Sequence, residues 1–195
     1  MKYACRKTEF NYQGAVYPVP DGHLGWYRDI LVACLGQLDA VLSYTSKAFV
    51  LRFDCHMTGF CDNNALIATF RRRLFKKLGR HYPDLLVGYL WVREIEKAKS
   101  QHYHFVFLVD ADRIPTANVF LMAATHVWER LTDIHPHIPK NPYYLVKRGD
   151  RAQHEEVIKR ISYLAKERGK GYRSAQAKDY GASRIKIRAV NDPIY

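Results

Sequence analysis

Acidic residues are scarce in this chain, and long apolar runs are missing. The 195 residues include 19 aspartates and glutamates against 31 lysines and arginines, which gives a formal net charge of +12 and a pI near 9.6. No apolar run approaches the ~20 residues that a membrane-spanning helix requires. The excess of positive charge does not indicate a fold, but it favours a polyanionic partner, with nucleic acid first and an anionic membrane surface second.

Paired cysteines are also missing. The four cysteines stand at positions 5, 34, 55 and 61, and no two have the spacing of a CxxC motif. Disulfides are therefore not indicated, and a reducing cytoplasm is the expected location. The charged first seven residues have no apolar segment behind them, so we expect no signal peptide. Hydrophobic residues at 48% and charged residues at 26% predict one folded domain over residues 1–195.

The apolar periodicity predicts helices and strands between an irregular N-terminal arm (1–20) and a basic C-terminal tail (170–195). Helices are predicted at 24–42, 66–78, 116–131 and 151–168, and strands at 48–54, 85–96, 102–109 and 143–147. From residue 48 the order is βαββαβ. This order predicts an α+β fold of the ferredoxin-like or RRM-like type, with one four-stranded antiparallel sheet and helices on one face. An N-terminal helix and a C-terminal helix are expected in addition to it.

The third predicted strand carries two histidines on one face. Side chains alternate along a strand, so His102 and His104 point to the same side, which we expect to be exposed. Two histidines in this arrangement on a central strand can bind one metal ion. A second His-x-His, at 135–137, has proline between its histidines and is expected to lie in a loop or turn, where no strand aligns them.

Two glutamates of the preceding strand can complete a metal site. A hairpin places Glu96 opposite His102 and Glu94 opposite His104, so both carboxylates share the histidine face. Two imidazoles and a carboxylate form a mixed nitrogen and oxygen ligand set. Such a set suits Mg²⁺ or Mn²⁺ and leaves positions open for water and phosphate. The register by itself does not choose between the two glutamates.

The last predicted helix carries a tyrosine on its polar side. Its apolar stripe occupies one side, and Tyr163 lies on the other with Lys159 and Lys166 at i−4 and i+3. A tyrosine flanked by two ammonium groups is placed to meet a phosphate.

These two groups of residues match the motifs of a known superfamily. The motif His102-Tyr103-His104 on a central strand and the later motif Tyr163-Leu164-Ala165-Lys166 resemble those of the HUH endonucleases, which include rolling-circle replication initiators, plasmid relaxases and single-tyrosine transposases. The segments at 51–54, 91–94 and 180–184 look more specifically like the replication initiators of filamentous phages and their prophage-borne relatives.

The resemblance implies a metal-dependent, site-specific nickase and strand-transferase that acts on single-stranded DNA through a 5′-phosphotyrosine. Tyr163 would be the nucleophile and Lys166 a second catalytic residue, with Lys159 in support. His102, His104 and Glu94 would hold Mg²⁺ or Mn²⁺, with Glu96 as the reserve ligand. The expected contacts with DNA are Arg52, Arg93, Lys147, Arg148 and Arg184. The implied partners are a replication origin, which can include a hairpin, and the helicase and polymerase of a bacterial host.

Three alternatives remain open. A non-catalytic RRM-like module that binds RNA or single-stranded DNA requires aromatic side chains on the exposed face of the sheet, whereas Tyr103, Phe105 and Phe107 are expected to face the helices. An RNA endonuclease with metal-free acid/base histidines would cleave in EDTA without a covalent adduct. A single-tyrosine transposase or relaxase would use the same chemistry on another DNA.

Overall fold

The computed structural model describes residues 4–19, 25–95 and 101–189, and within them the chain has an α+β fold. The strands are β1 (Glu9–Tyr12), β2 (Ala15–Pro18), β3 (Lys47–His56), β4 (Val87–Ile95), β5 (Gln101–Asp110), β6 (Tyr143–Lys147) and β7 (Tyr180–Ala182). The helices are α1 (Arg28–Leu42), α2 (Ala65–Gly79), α3 (Ala117–Thr132) and α4 (Arg151–Ser162). None of these helices is both long enough and apolar enough to cross a bilayer.

Five strands form an antiparallel sheet in the order β6-β3-β5-β4-β7. The four predicted strands are all present, and β3 and β5 lie at the centre as expected. The fifth strand, β7, comes from the predicted tail and pairs with β4. The predicted irregular arm is also wrong, because β1 and β2 form a hairpin. Positive φ angles of 50° at Gln13 and 81° at Gly14 produce its two-residue turn.

Helices cover both faces of the five-stranded sheet. The two helices of the βαββαβ unit lie on one face as predicted, and the two additional helices cover the other. Helices α2 and α3 pack on the face that carries Phe53, Phe105 and Phe107. Helices α1 and α4 pack on the other face, against Val106 and Leu108. This second face is apolar along only part of β5, because the start of the strand carries the two histidines. The apolar part of this face packs against the apolar stripes of α1 and α4. The polar part, at the start of β5, remains available for a functional site.

The hairpin of β4 and β5 has a different register from the predicted one. Glu94 pairs with His102, and Val92 pairs with His104. The expected pairing of Glu94 with His104 is therefore wrong by two residues. Glu96 and the rest of 96–100 lie outside the described residues.

The last helix ends earlier than its periodicity predicted. Asp150 caps α4 by accepting a hydrogen bond from the backbone N–H of Gln153, and the helix stops at Ser162. Tyr163–Ala165 then forms a single 3₁₀ turn, and Lys166 is extended. The Ala165 carbonyl accepts a hydrogen bond from the Tyr27 N–H at 2.8 Å. Contacts with the segment before α1 thus replace further helical turns, and Tyr163 lies just beyond the helix end.

A cavity mutation tests the core between the sheet and helices α2 and α3. Phe70 is fully buried and its ring contacts those of Phe53, Phe105 and Trp128. Phe70→Ala should lower the free energy of unfolding by about 3–5 kcal/mol, because the cavity cannot fully collapse. Urea denaturation measures this change. The control Met122→Ala, at a side chain that is 71% exposed, should change it by less than about 0.5 kcal/mol. Equal effects would contradict this packing.

Candidate active site

Polar side chains gather where β3 and β4 end and β5 begins, on the face that α1 and α4 cover only in part. Asp54 pairs with His104 and His56 pairs with His102 in the ladder of β3 and β5. Paired residues point to the same side of a sheet. The predicted histidines therefore share their face with a carboxylate and a further histidine of the neighbouring strand.

His104 lies between two carboxylates. Its Nδ1 is 2.8 Å from Asp54 Oδ1, and its Nε2 is 3.2 Å from Glu94 Oε2. Burial by itself would lower the pKa of His104, but the hydrogen bonds and charges of the two carboxylates raise it to about 9. Both ring nitrogens thus face carboxylate oxygens, an arrangement that favours the protonated ring. Glu94 makes this contact diagonally, since its direct partner in the ladder is His102.

Each carboxylate also has a second cationic partner. Nε and Nη2 of Arg52 donate to the two oxygens of Asp54 at 3.2 Å each. Burial would raise the pKa of Asp54, but His104 and Arg52 outweigh it and bring the pKa down to about 2. Nζ of Lys170 lies 2.7 Å from Glu94 Oε1. Burial would likewise raise the pKa of Glu94, and His104 and Lys170 together lower it.

Three more histidine rings adjoin this group. The ring centroids of His56 and His102 are 4.4 Å apart, and those of His56 and His137 are 6.2 Å apart. The backbones of His137 and Asp54 exchange hydrogen bonds of 2.9 and 3.0 Å, which brings His137 to the end of β3. His137 lies in a loop as expected, but an isolated bridge to Asp54 joins it to the site. His135 pairs instead with a glutamate of α3.

The imidazole and carboxylate groups of this site can be examined as ligands of a divalent cation. Imidazole and carboxylate are both ligands of Mn²⁺ and Mg²⁺. The 3.2 Å between His104 Nε2 and Glu94 Oε2 is close to the separation of adjacent ligands on an octahedral ion with bonds of about 2.1 Å. Within the described part of the chain, however, no three His, Cys, Asp or Glu side chains already form a metal-binding group. The donor types fit a cation, while His104 is arranged to donate protons to both carboxylates.

Tyr163 is joined to this group through two cations. The side chain is 48% exposed, and its ring lies 5.3 Å from the guanidinium carbon of Arg52 and 4.0 Å from Nζ of Lys166. Arg52 therefore contacts both Asp54 and the tyrosine. Lys170 makes a second connection, because its ammonium group donates to the Lys166 carbonyl as well as to Glu94. The predicted nucleophile and the predicted ligands thus belong to one continuous group of contacts.

The remaining predicted DNA contacts lie apart from this group. Arg93 is only 1% exposed, and its Nη2 donates to the carbonyl of Cys61 and to the side chain of Gln101. Its burial argues against the predicted DNA contact and gives Arg93 a structural role at the loop before α2. Lys147 pairs with the first residue of β3, about 30 Å along the strand from His56.

Two further predicted contacts occupy other surfaces. Arg148 donates to the carbonyls of Leu42 and Thr45 at the same distant end of the sheet. Arg184 is exposed just after β7 and lines a shallow groove along that strand with Arg173 and Lys178. Of the cations predicted to bind DNA, Arg52 alone contacts the histidine group. Lys159, which was predicted to support catalysis, lines a cleft beside Tyr163.

Sequence reasoning missed Asp54, His56, His137 and Lys170 as members of the site. A signal existed for the first two, because Arg52, Asp54 and His56 alternate along β3 and so must share a face. His137 and Lys170 reach the site through contacts between distant segments, which no local pattern reports.

Comparisons with known proteins gave one finding. A family model described as the YagK/YfjJ C-terminal domain matches residues 21–183. The match includes β3 to β7 and every member of the site from Arg52 to Lys170. Comparisons with curated proteins and with solved structures gave no significant match.

Removal of the buried ammonium group tests the charge balance of the site. The Lys170 side chain is fully buried against Glu94, which is itself partly exposed. Lys170→Met should lower the free energy of unfolding by about 2–3 kcal/mol, below the 3–5 kcal/mol of a fully buried pair, because Glu94 keeps His104 as a partner. Urea denaturation measures the loss.

Two further variants control for the loss of a lysine as such. Lys178→Met, at an exposed lysine of the same segment, should leave stability nearly unchanged. Glu94→Gln should restore part of the stability of Lys170→Met. A Lys170→Met protein as stable as the unmodified chain would show that this ion pair is not needed.

Proposed function

The chain belongs to the YagK/YfjJ C-terminal domain family, and we propose that it is a metal-dependent, site-specific nickase and strand-transferase for single-stranded DNA. Its chemistry would be of the HUH type and would initiate rolling-circle replication. One observation carries the proposal. Arg52 and Lys170 join the turn of Tyr163 to the group formed by His104, Asp54 and Glu94.

A ferredoxin-like fold for the central unit is part of the proposal. The unit β3-α2-β4-β5-α3-β6 has the strand order β6-β3-β5-β4, and its two helices pack on one face. This arrangement supports a split βαβ topology. The hairpin β1–β2, helices α1 and α4, and β7 are then additions, and α1 and α4 cover the second face.

The reaction begins when Tyr163 meets the scissile phosphate. The tyrosine hydroxyl gives up its proton and its oxygen bonds to phosphorus, while the bond from phosphorus to the 3′ oxygen breaks. The departing oxygen takes up a proton and leaves a 3′-OH that can prime a polymerase. The 5′-phosphotyrosine conserves the bond energy, so a later 3′-OH can reverse the step and join strands without ATP.

Residues around Tyr163 position it and balance charge. Lys166 contacts the tyrosine ring, and Arg52 is held beside the same ring by Asp54. Both cations stand where a phosphate must approach. Mg²⁺ or Mn²⁺ held by His102, His104 and Glu94 would supply Lewis-acid stabilisation of the charge that builds on the phosphate, and it would take the place of the proton between His104 and Glu94.

The net charge of the chain supports a nucleic-acid substrate. A formal charge of +12 favours contact with a phosphate backbone and makes binding fall as the salt concentration rises. The partners in this proposal are a replication origin and the helicase and polymerase of a bacterial host. Action in the bacterial cytoplasm agrees with the four free thiols at positions 5, 34, 55 and 61.

One observation favours an alternative without a metal ion. His104 already donates to two carboxylates, and the rings of His56 and His102 are in contact. Such a cluster could exchange protons with an RNA 2′-hydroxyl and its leaving group. The RRM-like alternative is disfavoured, because Tyr103, Phe105 and Phe107 are buried beneath helices α2 and α3.

The nucleophile can be tested with a variant that lacks one oxygen. Tyr163→Phe should bind single-stranded DNA normally but form no covalent adduct, because the ring and its cation contacts remain while the hydroxyl is gone. The assay incubates the full chain with Mn²⁺ and single-stranded DNA from its own replicon, and a denaturing gel detects the adduct. Tyr44→Phe is the matched control, since Tyr44 is 49% exposed and lies outside the site. An adduct formed by Tyr163→Phe would contradict the assignment.

The metal requirement can be tested at His102. His102→Ala, or excess EDTA with the unmodified chain, should reduce cleavage at least 100-fold and leave DNA binding largely intact, because backbone charge dominates binding. His135→Ala removes an exposed histidine outside the site and should have no effect. Cleavage that persists in EDTA without an adduct would favour the metal-free alternative.

A further inference from the structure

A cleft of about 500 Å³ opens beside Tyr163. It lies between the end of α4 and strands β3 and β6, and its lining residues are Arg52, Tyr144, Glu156, Lys159, Arg160 and Tyr163. Its volume falls in the range of pockets that bind small ligands, about 300–1,000 Å³. The proposed mechanism uses Arg52 and Tyr163 and gives no role to Tyr144, Glu156 and Arg160.

A small, buried apolar recess adjoins the cleft. This recess of about 10 Å³ shares Arg52, Tyr144 and Arg160 with the cleft, and its other lining side chains are almost all aliphatic, among them Val106 and Leu164. Tyr144 pairs with Val50 and shares its face, so its ring stands at the boundary between the apolar recess and the open cleft.

The rim of the cleft is cationic. Arg52, Lys159 and Arg160 line it, and Glu156 is the one acidic residue among the lining side chains. Two of the cations are held in place before any ligand arrives. Asp54 holds Arg52, and the Lys140 carbonyl accepts a hydrogen bond of 3.1 Å from Nη2 of Arg160. Within the described ranges, Nε of Arg160 is buried and makes no hydrogen bond.

An aromatic wall and a cationic rim are complementary to a nucleotide. A base can stack on an aromatic ring, while its phosphate meets fixed cations. A free phosphate would gain nothing from the tyrosine ring, and an aliphatic ligand would gain nothing from the cations.

We infer that this cleft binds one nucleotide of the single-stranded DNA adjacent to the phosphate that Tyr163 attacks. The base packs against Tyr144, and the phosphate is held by Lys159 and Arg160. This inference rests on the proposed function and deepens it, because it assigns base-dependent binding to a residue outside the group that performs the chemistry.

The experiment separates base contacts from backbone contacts. Fluorescence anisotropy of the full chain measures binding to a 20-nucleotide oligo(dT) and to an abasic 20-mer with the same backbone. The unmodified chain should bind oligo(dT) about tenfold more tightly, which is the effect of one stacked base. Tyr144→Ala should abolish this preference, and Tyr144→Phe should keep it, because phenylalanine retains the ring.

The neighbouring tyrosine provides the matched control. Tyr143 is 42% exposed on the opposite face of the same strand, where its ring contacts that of Phe49. Tyr143→Ala should preserve the preference for oligo(dT). Arg160→Met should weaken binding to both oligonucleotides by a similar factor, because it removes a phosphate contact.

The outcomes distinguish failure of the nucleotide site from failure of the proposed nickase. A preference that survives Tyr144→Ala, or that Tyr143→Ala removes instead, overturns the assignment of the cleft even where Tyr163 forms its adduct. Equal binding of the two oligonucleotides by the unmodified chain overturns it as well. A preference that depends on Tyr144 in a chain that forms no adduct supports the nucleotide site and contradicts the nickase.

Discussion

Burial of charge at the ends of the central strands is the constraint on which this site depends. Charged groups taken out of water are costly unless they are paired. The imidazolium of His104 cannot balance both Asp54 and Glu94, so each carboxylate needs another cation. Arg52 comes from the same strand as Asp54, whereas Lys170 comes from the segment after α4. The need to balance Glu94 thus holds the segment after α4 against the sheet.

The segment that carries Lys170 packs closely against the end of β4. The Gly169 carbonyl accepts a hydrogen bond from the Ile95 N–H, and the Gly169 φ angle is +78°. A Cβ at this position would lie 3.3 Å from the Cβ of Glu94. A glycine meets both demands, since it tolerates positive φ and adds no side chain at the contact. Lys170 can then reach Glu94, and its contact with the Lys166 carbonyl fixes the turn that carries Tyr163.

Alternation along the strands made much of this site predictable. His102 and His104 share a face because side chains alternate along β5, and Glu94 shares it because it pairs with His102. The hairpin register was wrong by two residues, since its turn could not be located from the sequence. An error of two keeps every side chain on its expected face, whereas an error of one would have reversed all of them. The predicted grouping therefore survived a wrong register.

The parts that depend on distant contacts could not be predicted in this way. Helical periodicity continued past Ser162, but contacts with the segment before α1 ended the helix there. Arg93 was expected at the surface because strand patterns do not distinguish a buried guanidinium from an exposed one. Coverage of both sheet faces followed from the two additional helices, whose apolar stripes required a partner surface.

Strand β7 has a consequence for synthesis of the chain. Its Gly181 lies against the ring of Trp91, where a Cβ would come within 2.8 Å of ring atoms, so backbone covers this tryptophan. β7 also occupies the outer edge of β4, although β4 ends at Ile95 and β7 begins at Tyr180. A ribosome that adds 5–20 residues per second needs roughly 4 to 17 s to pass from one to the other. Any sheet that forms during this interval has an unpaired β4 edge with Trp91 uncovered, to which another chain can pair.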